Sequence, residues 1–177
     1  MGLRSLRLPS EWVVRQVSCG HRHAALVTTT GLLLTFGCGE TGRLGHGDQM
    51  DVSYPKLVQR LASARQAVVS AACGREHTLV SMASGQVKGW GWGEGGRLGL
   101  GEVGAVLWPE TLMEVDHLGV RAASVACGRE HSLVVTTDGR MLAFGTADGG
   151  KLGLGNGTRV GRVGQSLSGA GGGGRDG

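Results

Sequence analysis

No run of apolar residues in this chain approaches the roughly 18 needed to span a bilayer. The opening segment "MGLRSLRLPSEW" lacks the apolar core of a secretory signal. Leu6 stands where an N-myristoylation pattern needs Ser or Thr. These absences predict a soluble intracellular protein, cytoplasmic or nuclear, with no membrane partner. Without a secretory route, the sequon Asn156-Gly157-Thr158 is expected to stay unmodified. Cysteine is scarce, and three of the 4 fall on one repeat position, which argues against a disulfide framework. Strong charge of one sign is also missing: the formal net charge is +4 over 177 residues. Of the 18 basic residues, 15 are Arg, a side chain suited to bidentate contact with carboxylates and phosphates. Spread surface charge is the plainer reading, and a nucleic-acid surface the weaker one.

Glycine is what the chain has in excess, 35 residues, against about 7% in an average protein. Gly is costly inside helices, so the excess favours a turn-rich β protein. Gly37-x-Gly39-x-x-Gly42 follows the apolar run 32–36 with the spacing of a dinucleotide-binding loop. Such a loop must open a helix. Here "RLGHGD" follows instead, with two more glycines and no helical period. The spacing recurs at Gly91, Gly93 and Gly96 and breaks at Ala147. A connection between strands is therefore expected, not a phosphate cradle.

A repeat explains the glycines. Cys19, Cys73 and Cys127 stand 54 residues apart, and so do His23, His77 and His131. Gly31, Gly85 and Gly139 keep the same step, as do Phe36, Trp90 and Phe144. Pro55 and Pro109 match, while the third copy has Val163. Each copy shows an apolar run before the Cys, another after the His, a Gly turn, and a third run ending at the aromatic. Asp138-Gly139 is a strong hairpin signal. A fourth short strand is expected to follow Pro55 and Pro109. Three or four antiparallel strands per repeat predict an all-β fold, a partial β-propeller of three blades. The divisions are 13–66, 67–120 and an incomplete 121–160. Residues 1–12 read as the outer strand of a preceding blade, and 161–177 as a Gly-rich disordered tail.

The segments "VSCGHRHAALVTTTGLLLTFGCGETGRLGHGD", "AACGREHTLVSMASGQVKGWGWGEGGRLGLG" and "VACGREHSLVVTTDGRMLAFGTADGGKLGLG" resemble repeats of the regulator of chromosome condensation type. The shared frame is Cys-Gly-x-x-His-(Ser/Thr/Ala), a Gly hairpin, an aromatic-Gly pair and Gly-x-Leu-Gly. The resemblance implies a propeller of about seven blades. It also implies a choice of roles: guanine nucleotide exchange for a small GTPase, docking on chromatin, a module of ubiquitin ligases and kinases, or a plant ultraviolet-B receptor. In that receptor, tryptophans two residues before the repeat His absorb light. Here those positions hold His21, Arg75 and Arg129, which argues against a photoreceptor. In the exchange factor, acidic and polar residues of the same turn face the GTPase. Glu76 and Glu130 hold that acidic position, and Arg22 replaces it in the first copy.

The candidate partner-binding residues are thus His21, Arg22, Arg75, Glu76, Arg129 and Glu130, with Trp92 as a lone tryptophan aligned to Cys38 and Thr146. Cys19, Cys73 and Cys127 are expected to act as small hydrophobes, and the three histidines to be satisfied by carbonyls or Ser/Thr hydroxyls. No metal, cofactor or catalytic group is expected. Phe36, Trp90 and Phe144 read as packing between blades. Glu40, Glu94 and Asp148, each followed by Arg43, Arg97 or Lys151, read as braces within the connecting loops or as a ring facing a partner. Three blades do not close a ring, which leaves three explanations open: a piece of a longer protein, closure by self-association, or an open array. The function expected is a non-catalytic protein-interaction or regulatory module, with GTPase exchange and chromatin docking as alternatives.

Overall fold

A computed structural model of the chain describes residues 5–101, 103–113 and 121–155, with 110–113 described as backbone. The end of the third repeat, the sequon and the 161–177 tail lie outside the described residues.

Three antiparallel sheets follow one another along the chain. The first contains β1 (Val14–Cys19), β2 (His23–Thr28), β3 (Leu33–Gly37) and β4 (Val52–Leu57) in that order. A short helix, α1 (Gln59–Ser63), leads to the second: β5 (Val68–Cys73), β6 (His77–Met82), β7 (Val87–Trp92) and β8 (Ala105–Met113). The third has β9 (Ala122–Cys127), β10 (His131–Thr136) and β11 (Met141–Gly145). This is an unclosed, all-β propeller array of three blades.

The hairpin glycines explain the tight turns between the second and third strands. Gly31, Gly85 and Gly139 have φ of 81°, 90° and 85°, a region that other L residues enter only with strain. The first strand of every blade is irregular at one repeat position. The register slips between Val14 and Gln16, between Val68 and Ser70, and opposite Val135 and Thr136. A bulge there bends each inner strand.

Two hydrophobic cores lie between blades rather than within them. Strand period sets this, because alternate side chains point to opposite faces of a sheet. On β6, Val80 and Met82 join Ala25, Val27, Leu33 and Trp90 between blades 1 and 2. Leu79 joins Val87, Val125, Val134 and Phe144 between blades 2 and 3. All six residues of β6 are buried, its polar members His77, Thr78 and Ser81 among them, because the strand has a blade on each face.

Two expectations need correction. The fourth strand does not follow the proline; it runs through it, with Pro55 inside β4 and Pro109 inside β8. Both are edge strands, and each proline lies where the register slips, between Lys56 and Val52 or between Glu110 and Val106. A residue without an N–H is tolerated there. Residues 5–12 hold a turn closed by Trp12 N–H on Pro9 O, 2.9 Å, and residues 1–4 of the expected outer strand lie outside the described residues. Among the described residues no neighbouring strand lies there to pair with it. The second correction is α1, which shows no period at five residues and has no side-chain cap. Its Leu61 is buried in the core between blades 1 and 2, and that packing holds the turn.

Gly37, Gly39 and Gly42 lead into a single 3-10 turn, Glu40–Gly42, and not a long helix. A Cβ on Gly39 would sit 1.9 Å from Met50 O, and its N–H donates to Asp51 Oδ1 at 2.8 Å. A carboxylate and the chain itself fill the place where a phosphate would lie.

Candidate interaction surface

The turns before the repeat histidines lie together at one end of the array, where the inner strands finish. His21, Arg75 and Arg129 line one open cavity of about 540 Å³, with Cys19, Cys73 and Cys127 and the three intervening glycines behind them. Backbone bonds fix the turns against each other. His21 N–H donates to Gly74 O at 3.2 Å and Arg75 N–H to Arg129 O at 3.4 Å. The cysteines and histidines share each turn but not a destination. Cys73 and Cys127 border the cavity and pack toward the preceding blade, Cys73 in the core between blades 1 and 2 and Cys127 with its Sγ–H donating to Ala72 O at 3.5 Å; histidines enter the seam with the next blade.

Each seam is closed by a short relay. His23 Nε2 lies 2.9 Å from Thr78 Oγ1, whose single proton goes to Arg43 O at 2.8 Å. The ring must therefore donate through Nε2. The next seam repeats it: His77 Nε2 to Ser132 Oγ at 3.0 Å, and Ser132 Oγ to Arg97 O at 2.7 Å. Burial, helped by the Arg43 charge, lowers the His23 pKa from 6.5 to about 4. Burial, with Arg97, His23 and His131 nearby, lowers that of His77 to about 3. Burial also pushes the Cys73 thiol up to about 12 and raises that of Cys127. Neutral imidazoles that donate to hydroxyls, beside protonated thiols, do not make a nucleophile and its base. All four cysteines are free, and among the described residues no group of three or more His, Cys, Asp or Glu is placed to hold a metal ion.

The loop arginines do more than brace their own loops. Arg43 is 1% exposed, donates Nε to Glu40 O at 2.7 Å, and reaches under blade 2 to Arg75 O at 3.3 Å. Arg97 repeats the local bond, Nε to Glu94 O at 2.6 Å. Glu76 lies between them, 3.8 Å from Arg43 and 3.6 Å from Arg97. Glu130 is shared in the same way by Arg75 at 3.8 Å and Arg129 at 3.5 Å. Arg22, exposed, approaches Glu40 at 3.9 Å. The turn residues therefore form an ion-pair lattice across all three blades. Its buried half locks the seams, and its outer half, with Arg22 and Arg129 the most open, faces solvent.

A second hollow of about 430 Å³ lies on the rim between the loops of blades 2 and 3, bordered by Glu94, Arg97, Glu130 and Asp148. Trp92 stands half-buried beside it and donates Nε1–H to Glu94 Oε2 at 2.9 Å. Trp90 is fully buried, and Phe144 1% exposed, each against the preceding blade. Phe36, with no preceding blade among the described residues, is only half-buried. Trp108 had no sequence signal. It is exposed, fills the space over Gly47, and has the Arg60 guanidinium 5.4 Å from its ring centre.

The family model described as the regulator of chromosome condensation (RCC1) repeat matches residues 30–81 and 84–135, and a second model of that repeat matches 14–43, 68–97 and 122–150. The chain is 36% identical over 141 residues to the ultraviolet-B receptor UVR8 of Arabidopsis thaliana, covering 79% of this chain and 31% of the receptor. It is 39% identical over 132 residues to human protein RCC2, covering 74% of this chain and 24% of that protein. It thus spans less than a third of these curated relatives. The crystal structure of Prp20p from Saccharomyces cerevisiae, described with its binding properties to Gsp1p and histones, superposes with a TM-score of 0.62 at 20% identity, over 79% of this chain and 34% of that one. At that identity the likeness shows the fold. No helix of the described residues is long and apolar enough to cross a membrane.

Proposed function

The chain belongs to the regulator of chromosome condensation repeat family, and from that premise we propose that it is a protein-interaction module, non-catalytic by itself, whose turn face receives an acidic segment of a protein partner. The observation that carries this reading is the convergence of His21, Arg75 and Arg129 on one cavity. Glu76 is neutralised by Arg43 and Arg97 beneath it, so the open edge keeps an excess of guanidinium. Arg is the side chain fitted to hold carboxylates in a fork. A rigid rim of turns is a suitable mount for such a contact.

The test is a short Glu-rich peptide titrated at low salt and followed by fluorescence anisotropy. Reversing both Arg75 and Arg129 to Glu should weaken binding by about tenfold or more. The far-UV spectrum should stay unchanged, because neither side chain enters a core. Equal binding by wild type and double variant would remove the reading.

A second reading is guanine nucleotide exchange for a small GTPase. It is favoured by Glu76 and Glu130, whose side chains are 27% and 28% exposed on the same rim, and by the Gsp1p binding named for Prp20p. Exchange of this kind pries nucleotide and metal from the GTPase and needs no cofactor here. Nucleotide release from a panel of small GTPases should accelerate with this chain and lose the acceleration on Glu130→Gln. No acceleration at micromolar protein would exclude it. Docking on chromatin predicts instead an affinity that falls steeply with salt.

A further inference from the structure

The segment between blades 1 and 2 carries chemistry that neither the turn face nor the seams use. There α1 makes one short turn between β4 and β5. Val58 and Leu61 anchor it in the core. Its own bonds are long, Ala62 N–H to Val58 O at 3.3 Å and Ala64 N–H to Arg60 O at 3.4 Å. A turn so short and so loosely bonded opens at small cost. Arg60, Ser63 and Arg65 are exposed on it. No Asp or Glu stands between Asp51 and Glu76, so nothing acidic in the segment competes for these arginines.

An arginine three residues before a hydroxyl is a charge pattern that one class of kinases reads with carboxylates of its own. The pattern stands at Ser10, Ser18, Ser63, Thr78, Ser124 and Ser132. The fold withdraws most of these. Thr78 and Ser132 are fully buried, and their protons go to Arg43 O and Arg97 O. Ser18 and Ser124 lie inside β1 and β9, paired with Ala25 and Val135, and cannot leave without undoing a blade. Ser10 is exposed but is followed by Glu11. Ser63 is exposed between two arginines. Gln59 Nε2–H donates to its Oγ at 3.0 Å, and its own proton has no acceptor among the described residues.

We propose that Ser63 is a phosphorylation site for an arginine-directed Ser/Thr kinase, and that its phosphate draws Arg60 off Trp108. In the transfer a kinase carboxylate takes the Oγ proton, Oγ bonds to the γ-phosphorus of ATP, and the bond from that phosphorus to the ADP oxygen breaks. The product carries about −1.5 to −2 charges. Arg60 precedes Ser63 by three residues, on the same helical face. Its guanidinium now rests over Trp108 of β8, 5.4 Å from the ring centre. At an exposed site that contact is weaker than a guanidinium fork on a phosphate. Phosphorylation therefore breaks the linker's hold on the outer strand of blade 2. It uncovers an indole that is already 40% exposed. None of this depends on what the turn face binds.

The test uses the full chain, magnesium ATP and the purified catalytic domain of an arginine-directed kinase that is active on a control peptide. Intact mass should show one added phosphoryl group, and peptide mapping should place it on Ser63. Ser63→Ala should remove it and Ser10→Ala should not. Arg60→Ala should slow the transfer by about tenfold or more. Circular dichroism confirms that the variants fold as wild type does. Tryptophan emission of the phosphorylated chain should shift to the red, and the shift should be absent in Trp108→Phe. No transfer to the folded wild type, a phosphate mapped elsewhere, a rate indifferent to Arg60→Ala, or an emission unchanged at full phosphorylation would overturn the proposal.

Discussion

Trp90→Ala should lower the unfolding free energy by about 3–5 kcal/mol, the largest loss expected from any single truncation in the chain. Trp90 is fully buried and is the largest side chain in the core between blades 1 and 2. Its indole lies against Gly45, and Nε1–H donates to Arg43 O at 3.0 Å. Alanine opens a cavity at a seam that cannot collapse, because both walls are hydrogen-bonded sheets. Urea unfolding should show a lower midpoint. It should also show a broader transition, since each blade of a stacked array is held chiefly by its neighbours and blade 1 would be loosened from the other two. Trp90→Phe separates volume from the hydrogen bond. Phenylalanine stands at the matching positions 36 and 144, and Arg43 O keeps its bond from Thr78 Oγ1. That variant should cost only about 1–2 kcal/mol. A loss below about 1 kcal/mol for Trp90→Ala would show that the seam does not carry the fold.

The contrast between Trp90 and Arg43 shows what was legible in the sequence. Trp90 kept the 54-residue step with Phe36 and Phe144, and a periodic aromatic at a strand end can be read as packing. The blades and hairpins were legible for the same reason. The histidines were legible by chemistry, as rings satisfied by hydroxyls, but not by address. The hydroxyl on His23 belongs to Thr78, 55 residues on and in the next blade. Arg43 and Arg97 kept the period too, yet arginine in a Gly-rich loop reads as surface. Arg43 is buried by the Glu40 carbonyl of its own loop together with Glu76 of the second blade, a combination its own repeat does not contain, and Arg97 shares that same Glu76 from within the second blade. α1 was hidden because five residues carry no period, and its buried anchor, Leu61, lies in a core shared by two blades. Of the candidate contact residues, the sequence supplied the turn positions. That three of them line one cavity follows only from how the blades stack. Repeat periodicity exposes what lies within a blade, and the seams hold what it leaves out.

Acid should destabilise the chain steeply, beginning near pH 6.5. His23 and His77 have folded pKa values of about 4 and about 3, below the ordinary 6.5. Above pH 6.5 neither the folded nor the unfolded chain protonates these rings, and their contribution is complete. Below it the unfolded chain takes up protons that the folded chain refuses. Stability then falls with decreasing pH, by about 1.4 kcal/mol per pH unit for each ring. The fall ends only where the folded rings also protonate, near pH 4 for His23 and pH 3 for His77. Two rings titrating together remove about 3 kcal/mol per unit down to pH 4 and one ring about half of that below it, roughly 8 kcal/mol in all by pH 3 and a large part of an ordinary domain stability of about 5–15 kcal/mol. His46, also lowered by burial and by Lys56, acts with the same sign. The cause is structural: burial in the seam strips a charged ring of its hydration, and the guanidinium of Arg43 or Arg97 then repels it. The measurement is a set of urea midpoints from neutral pH down to about pH 4.5, within the window where only the unfolded rings charge. His77→Gln can still donate to Ser132 but does not titrate. It should lose some stability at neutral pH and show a clearly shallower decline, because one of the two protons is gone. A variant that declines as steeply as wild type, or a wild type that stays flat down to pH 5, would mean that the seam histidines are not held neutral by burial.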